Sequence, residues 1–529
     1  MVDILIKNAL IYDGSGAKPF PGNILVKDGR ILEVGGREEE ALRVIDAKGM
    51  AAAPGVIDVH THNDNTILHD RQMAAALYQG VTTQVTGMCG LGLIPSRREE
   101  IPRILQFYGA LVSSRDNVSY TYTNVDEYLE AADGAAVNVA AAVNHSALRI
   151  FAGGWRSAPY EEIADAMKEE LRRNLRMGAV GLSVGLDYYP ACTLNVDTAE
   201  LVDLARTVAE EDGLLMTHIR PVGYGIDPLA EMDQVARESG VKLHILHTKT
   251  AYPATCGHPE AITQRFDRAN TEGADVTMEF YPYPCWETYA LYFVPYWVQE
   301  GGPDAMMARL TDPALRERLT REIEERYNQV VGIYRPAICS TAKGLPQYEG
   351  RTFDEICAMR GQTVGEMILD LLVETRFGFG ALASDVSDPA VARQLQDDWM
   401  TLFQSPYYTV SSDSITCGGF PHPRVFGTFA KMFRLTREYG LPLEHTVYKL
   451  TRFNANRFGL RDRGRLEKGC WADIMIFDPA SIRDRSDYTL TRQPAEGVEY
   501  LLVNGRVALE KGRPNGILAG RALRRETLG

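Results

Sequence analysis

The sequence predicts an α/β fold: a TIM-like (β/α)8 barrel, a small β-sandwich built from both termini, and an insertion near the barrel mouth. Three observations carry that prediction. Strand-like runs alternate with helical tracts eight times through the middle of the chain. Both ends are β-rich and turn-rich, whereas the middle is not. Imidazole, thiol and carboxylate side chains recur at the C-terminal ends of the predicted barrel strands, the edge where such barrels carry their chemistry.

The N-terminal strands are Ile4-Leu5-Ile6, Ile24-Leu25-Val26 and Ile31-Leu32-Glu33-Val34, punctuated by the hairpin signals Asp13-Gly14 and Asp28-Gly29. At the other end, Ala472-Asp473-Ile474-Met475-Ile476-Phe477 and Tyr500-Leu501-Leu502-Val503 are strand-like, and Asn504-Gly505 forms a two-residue turn. Neither end holds enough apolar surface to bury a core alone, so the two are expected to share one.

Barrel strands are predicted at Val56–Val59, Val81–Thr86, Val137–Val143, Val180–Val184, Leu214–His218, Val241–His247, Val276–Tyr281 and Tyr408–Asp413, with helical tracts such as Glu161–Met177 and Leu201–Glu211 between them. The interval between the last two strands is too long for a simple connection. It carries Trp286, Tyr289, Tyr292, Phe293, Tyr296 and Trp297, then a charged helical stretch from Asp312 to Tyr327. Two readings of it stand side by side: a lid over the barrel mouth, or a surface excursion with its own aromatic core. The expected boundaries are 1–52 with 465–529 for the sandwich, 53–464 for the barrel and 286–350 for the insertion.

At 529 residues the chain exceeds a single simple core, while 45% apolar and 24% charged residues are those of an ordinary soluble protein. A net charge of −14 argues against a nucleic-acid partner, whose binding needs a basic face. No apolar run approaches the roughly 20 residues of a membrane span, and the N-terminus lacks the pattern of a signal peptide. Eight cysteines without framework spacing fit reduced thiols in the cytoplasm. Oligomeric state is left open.

Chemistry starts at Gly55-Val56-Ile57-Asp58-Val59-His60-Thr61-His62. Residues two apart on a strand face the same side, so His60 and His62 present two imidazoles to one point, a good start for a zinc site. An isolated His-x-His is ambiguous, because real sites need three or more ligands. Here Cys89 lies just past the second strand, His218 ends the fifth, His247 ends the sixth and Asp413 ends the eighth. A lone buried cysteine or barrel histidine is usually structural; six such groups on one rim are a site.

These residues carry a family resemblance. Ala53–His62, Gln79-Gly80-Val81-Thr82-Thr83, Thr86-Gly87-Met88-Cys89-Gly90 and Asn144–Arg149 match, as do Gly181-Leu182-Ser183 with Tyr188 and His247-Thr248-Lys249. So do Tyr281-Pro282-Tyr283 and Pro421-His422-Pro423-Arg424 with Gly427-Thr428-Phe429. Over essentially its full length the chain resembles the amidohydrolase superfamily, and within it the D-aminoacylases (N-acyl-D-amino-acid deacylases). The first motif marks the superfamily; the cysteine motif together with Pro-His-Pro-Arg is much more specific.

The resemblance implies zinc-dependent hydrolysis of the linear amide of an N-acyl-D-amino acid to a carboxylate and a free D-amino acid. It makes Cys89, His218 and His247 ligands of one tight zinc. His60 and His62, with Cys89 as bridge and Asp413, would form a weaker second site. Asp413 is then the catalytic acid–base group, and Tyr188, Lys249, Tyr281 and Arg424 bind the substrate. For His145 and Arg149 a structural role is expected. Two other readings remain: a cyclic-amide hydrolase of the hydantoinase or dihydropyrimidinase type, and a non-catalytic assembly module. The first normally bridges its metals with a carboxylated lysine, where this chain has Cys89. The second loses ligands, and here every ligand position is filled.

Departures from the family fall on the substrate side. Pro284-Cys285-Trp286-Glu287 is bulky and acidic, Ser414–Phe420 lacks the usual acidic opening, and Asp385 competes with Asp413 as a carboxylate. Trp286 and Glu287 are expected to wall the side-chain pocket against small aliphatic substrates.

Overall fold

A computed structural model of the chain describes residues 1–221, 225–332, 337–383 and 388–525; Asp385 lies outside the described residues. Its centre is a run of parallel strands in chain order. β1 (Val56–Asp58), β2 (Val81–Thr86) and β3 (Asn138–Ala141) form one sheet. After Ala142 the third strand resumes as Val143–Asn144, which opens a second sheet. That sheet continues with β4 (Gly181–Gly185), β5 (Leu214–His218), β6 (Lys242–Ile245), β7 (Asp275–Phe280) and β8 (Tyr408–Val410). Just past β1 and β8 the chain meets itself: Asp413 N–H donates to His60 O and His62 N–H to Ser414 O, both at 2.9 Å. This is the strand order of a (β/α)8 barrel, and it brings the C-terminal ends of all eight strands to one rim.

The strands are apolar because they are covered on both faces; Leu214, Leu215 and Met216 of β5 and Leu243 and Ile245 of β6 are all buried. The helices between them are amphipathic. In Tyr160–Arg176, Ile163, Met167, Leu171 and Leu175 recur every fourth residue and are its buried apolar side chains. Asp197 starts the next helix, Thr198–Glu210, by accepting the Glu200 N–H at 2.9 Å.

Both termini build a nine-stranded sheet, with Ile474–Phe477 antiparallel to Ala51–Pro54 as the seam between them. Alternation along this seam divides two cores. Ala52, Ile474 and Ile476 face a small core with Ile4, Ile6, Ile24 and Leu502, while Ala51, Ala53, Met475 and Phe477 join the barrel core. A strand apolar at every position is what that double duty requires.

Between β7 and β8, the strands Trp286–Tyr289 and Ala337–Ala342 both pair antiparallel with Phe379–Ala383, so this sheet draws on chain beyond residue 350. Phe293, Tyr327, Phe353 and Phe379 follow one another at centroid spacings of 5.3 to 5.7 Å, giving the excursion an aromatic core of its own. Among the described residues no helix is long and apolar enough to cross a membrane.

Candidate active site

At the rim just defined, His60 and His62 follow β1, and their Nε2 atoms both lie 3.2 Å from Oδ1 of Asp413. Cys89 Sγ is 3.4 Å from His60 Nε2 and 3.5 Å from His247 Nε2. The His218 ring stands edge-on to His247 with centroids 4.6 Å apart. All six predicted ligand residues therefore meet in one place. Three of them hold a backbone that side chains rarely adopt: Cys89 at φ 53°, His247 at φ 33° and Asp413 at φ 48°. Left-handed backbone at a non-glycine residue costs energy, which the surrounding structure must offset.

The neighbours of the histidines fix which nitrogen each presents. Glu279 Oε1 lies 2.6 Å from His60 Nδ1, which leaves Nε2 facing the cluster. Asp187 Oδ2 lies 3.0 Å from His218 Nε2, and the buried His218 Nδ1 has no hydrogen-bond partner. Burial pushes the Cys89 thiol up, but the facing imidazoles of His60, His218 and His247 outweigh it and hold the thiol well below its ordinary range. Asp413 behaves alike: burial opposes ionisation, yet Arg424, His60 and His62 hold its carboxyl well below the usual carboxylate value. Beneath them Asp58, bonded to Ser412 Oγ at 2.5 Å, is pushed up to about 7 by burial.

These residues fit a metal. The candidate ligand atoms of His60, Cys89 and His247 lie within 4.8 Å of one another, and so do those of His60, His62 and Asp413. Tetrahedral zinc with nitrogen and sulfur ligands has ligand–ligand edges of about 3.3–3.7 Å, close to the 3.4 and 3.5 Å contacts of Cys89. The thiol held towards thiolate and the unpartnered His218 Nδ1 complete a soft donor set.

A cavity of about 390 Å³ opens on the cluster, lined among others by Tyr188, Tyr281, Trp286, Glu287, Tyr292 and Asp413. Trp286, Glu287 and Tyr292 come from the excursion between β7 and β8, so that segment forms part of the wall. Lys249 and Arg424 are not in the lining; both pack on the Tyr281 ring, with Lys249 Nζ 3.6 Å and Arg424 Cζ 4.6 Å from its centroid. Lys249 also donates to Tyr283 O. Arg424 Nη1 lies 2.9 Å from Asp413 Oδ2. His145 and Arg149 stand apart from this site: His145 Nε2 is 2.8 Å from Glu200 Oε1, and Arg149 donates to Glu200 Oε2.

Sequence reasoning overlooked Glu279, Asp187 and Asp58. Glu279 had a signal, being the single carboxylate inside the strand-like run Val276-Thr277-Met278-Glu279-Phe280, all of which is buried. Asp187 sits one residue before Tyr188 with nothing local to single it out.

With this geometry in hand, comparisons with known proteins agree on one family. The profile of the Amidohydrolase family matches residues 43–509. D-aminoacylase of Alcaligenes xylosoxydans xylosoxydans is 30% identical over 531 residues, covering 99% of this chain and 98% of that protein. An N-acyl-D-glutamate deacylase from Bordetella bronchiseptica, crystallised with zinc and a phosphonate mimic of the tetrahedral intermediate, superposes with a TM-score of 0.82. It is 27% identical, with 99% of each chain covered. D-hydantoinase, at a TM-score of 0.58, 17% identity and 99% coverage of each chain, shares the fold alone.

Proposed function

The chain belongs to the amidohydrolase family, and from that premise we propose that it hydrolyses the linear amide of an N-acyl-D-amino acid to a carboxylate and a free D-amino acid, in a zinc-dependent reaction. The observation that carries this reading is Arg424. Its guanidinium is 1% exposed and 2.9 Å from Asp413, yet Nε, Nη1 and Nη2 meet no partner in hydrogen-bond geometry. A buried cation with unspent donors calls for an anion, and the α-carboxylate of the substrate is one.

In this reading Cys89, His218 and His247 hold one tight zinc, and His60, His62 and Asp413, sharing Cys89, offer a second and weaker position. Bound zinc supplies polarisation of the amide carbonyl and acidification of water towards a pKa of about 7. Asp413 takes the proton of the attacking water and returns it to the departing amine. Tyr188 and Tyr281 of the cavity lining receive the substrate, and Lys249 and Arg424, both packed on the Tyr281 ring, supply the positive charge for its carboxylate. Residues 1–52 with 465–529 form the terminal domain and 53–464 the barrel; the insertion expected at 286–350, extended by its partner strand Phe379–Ala383, is a cover that contributes Trp286 and Glu287 to the cavity wall.

Zinc analysis combined with turnover of paired N-acetyl-D- and N-acetyl-L-amino acids tests the proposal. One zinc per chain with preference for the D series is the expected result. Equal cleavage of both enantiomers would overturn the stereochemical part, and activity without metal would overturn the chemistry.

A further inference from the structure

His422 belongs to the Pro-His-Pro-Arg motif, is fully buried, and is itself a member of neither the metal-binding cluster nor the cavity lining. Its hydrogen bonds tie the start of the Arg424 helix to the segment that runs from Cys285 to Glu287. Its Nδ1 accepts the Arg424 N–H at 2.9 Å, its Nε2 lies 3.3 Å from Cys285 O, and its own N–H donates to Glu287 Oε2 at 3.2 Å. Arg424 is the first residue of the helix Arg424–Glu438, and Pro423 before it has no N–H. The Arg424 amide is therefore one of the donors that a helix start leaves without an intrahelical partner, and an imidazole supplies the acceptor. Accepting at Nδ1 obliges the neutral ring to carry its proton on Nε2, facing Cys285 O. Tyr283 and Tyr488 close on the ring edge-on, with centroids 5.3 and 5.5 Å away.

From this geometry we infer that His422 is a positioning residue: it fixes the backbone of Arg424, and through it the guanidinium that receives the substrate carboxylate. The inference rests on the carboxylate-anchor reading of Arg424 given above. A histidine that merely filled the core would need no acceptor directed at the Arg424 amide. The Arg424 side chain runs from that amide to Asp413 and Tyr281, so the helix start sets where the guanidinium begins its reach.

Three variants separate positioning from packing. In His422→Asn the amide oxygen can still accept from Arg424, whereas His422→Gln reaches only towards Cys285 O and His422→Leu offers no acceptor. KM for an N-acetyl-D-amino acid should stay within about threefold of wild type for Asn and rise about tenfold or more for Gln and Leu, with kcat changed less. Inhibition by acetohydroxamic acid, which carries no carboxylate, should not change in any of them, and zinc content reports that the metal site is intact. Equal KM for the Asn and Gln variants, or hydroxamate inhibition weakening in step with KM, would overturn the inference. If the Leu variant does not fold, the Asn and Gln pair decides. A crystal structure of His422→Gln reads the placement without reference to turnover: Arg424 withdrawn from Asp413 supports the inference, and Arg424 unmoved overturns it. Absence of turnover by the wild-type enzyme on every D-substrate would count instead against the proposed function.

Discussion

Glu279 Oε1 and His60 Nδ1 are 2.6 Å apart, and both side chains are fully buried. A carboxylate at that nitrogen locks the ring and raises the basicity of Nε2, the atom that faces Cys89 and Asp413. Glu279→Gln keeps the shape and removes the charge. Zinc affinity of the weaker second position, to which His60 belongs, should fall by about 10- to 100-fold in competition with a chelator, the usual cost of losing such a partner, while the tight zinc stays. Unchanged affinity would mean that Glu279 only fills space.

Removing the thiol tests the metal site itself. Cys89→Ala, His218→Ala and His247→Ala should each lose zinc after dialysis, because each removes a donor from the soft cluster. Full metal retention in Cys89→Ala would rule out the site as drawn.

Asp413→Ala should keep its tight zinc and lose turnover by roughly two to four orders of magnitude, as expected when an acid–base group is deleted. Near-normal activity would show that another group moves the proton.

Lys249→Met retains the packing of the stem on Tyr281 and deletes the charge. KM for N-acetyl-D-amino acids should rise or kcat/KM fall, by about tenfold, with zinc content unchanged. Steady-state kinetics with parallel metal analysis decides it; unaltered kcat/KM would remove Lys249 from the carboxylate anchor.

Glu200 makes a stability prediction away from the chemistry. Burial pushes its carboxyl up, but the bonds and charges of His145 and Arg149 prevail and lower it. A depressed carboxyl contributes stability above its unfolded value, near 4.5, and loses it as pH falls through the folded value. Glu200→Gln leaves Arg149 buried without a counter-charge, so it should cost about 3–5 kcal/mol at neutral pH. Its thermal midpoint should also depend less on pH below about 4.5 than that of the wild type. Superimposable melting curves of the two proteins across that range would refute the role given to Glu200.

Much of this protein could be read from residues alone where a local rule and a global need coincide. Period-two alternation placed His60 and His62 on one face, and the β–α alternation put Cys89, His218, His247 and Asp413 at strand ends. The excursion after β7 was visible as an interval too long to be a connection, but not its partner strand Phe379–Ala383, because antiparallel pairing across about 90 residues leaves no local mark.

What the sequence by itself determined is the donor types gathered at the rim, their order along the chain, the barrel that collects them and the family they belong to. The tertiary structure alone decided which atom of each residue faces which. Asp187 reaches His218 from 31 positions away, Glu279 reaches His60 from 219, and Glu200 rather than the metal cluster takes His145 and Arg149. The left-handed backbone at Cys89, His247 and Asp413 belongs to the same class. The physical reason is that a hydrogen bond or ion pair is set by distance and direction to a few tenths of an ångström. Sequence patterns specify only the face and end of an element, and the packing of the elements supplies the rest.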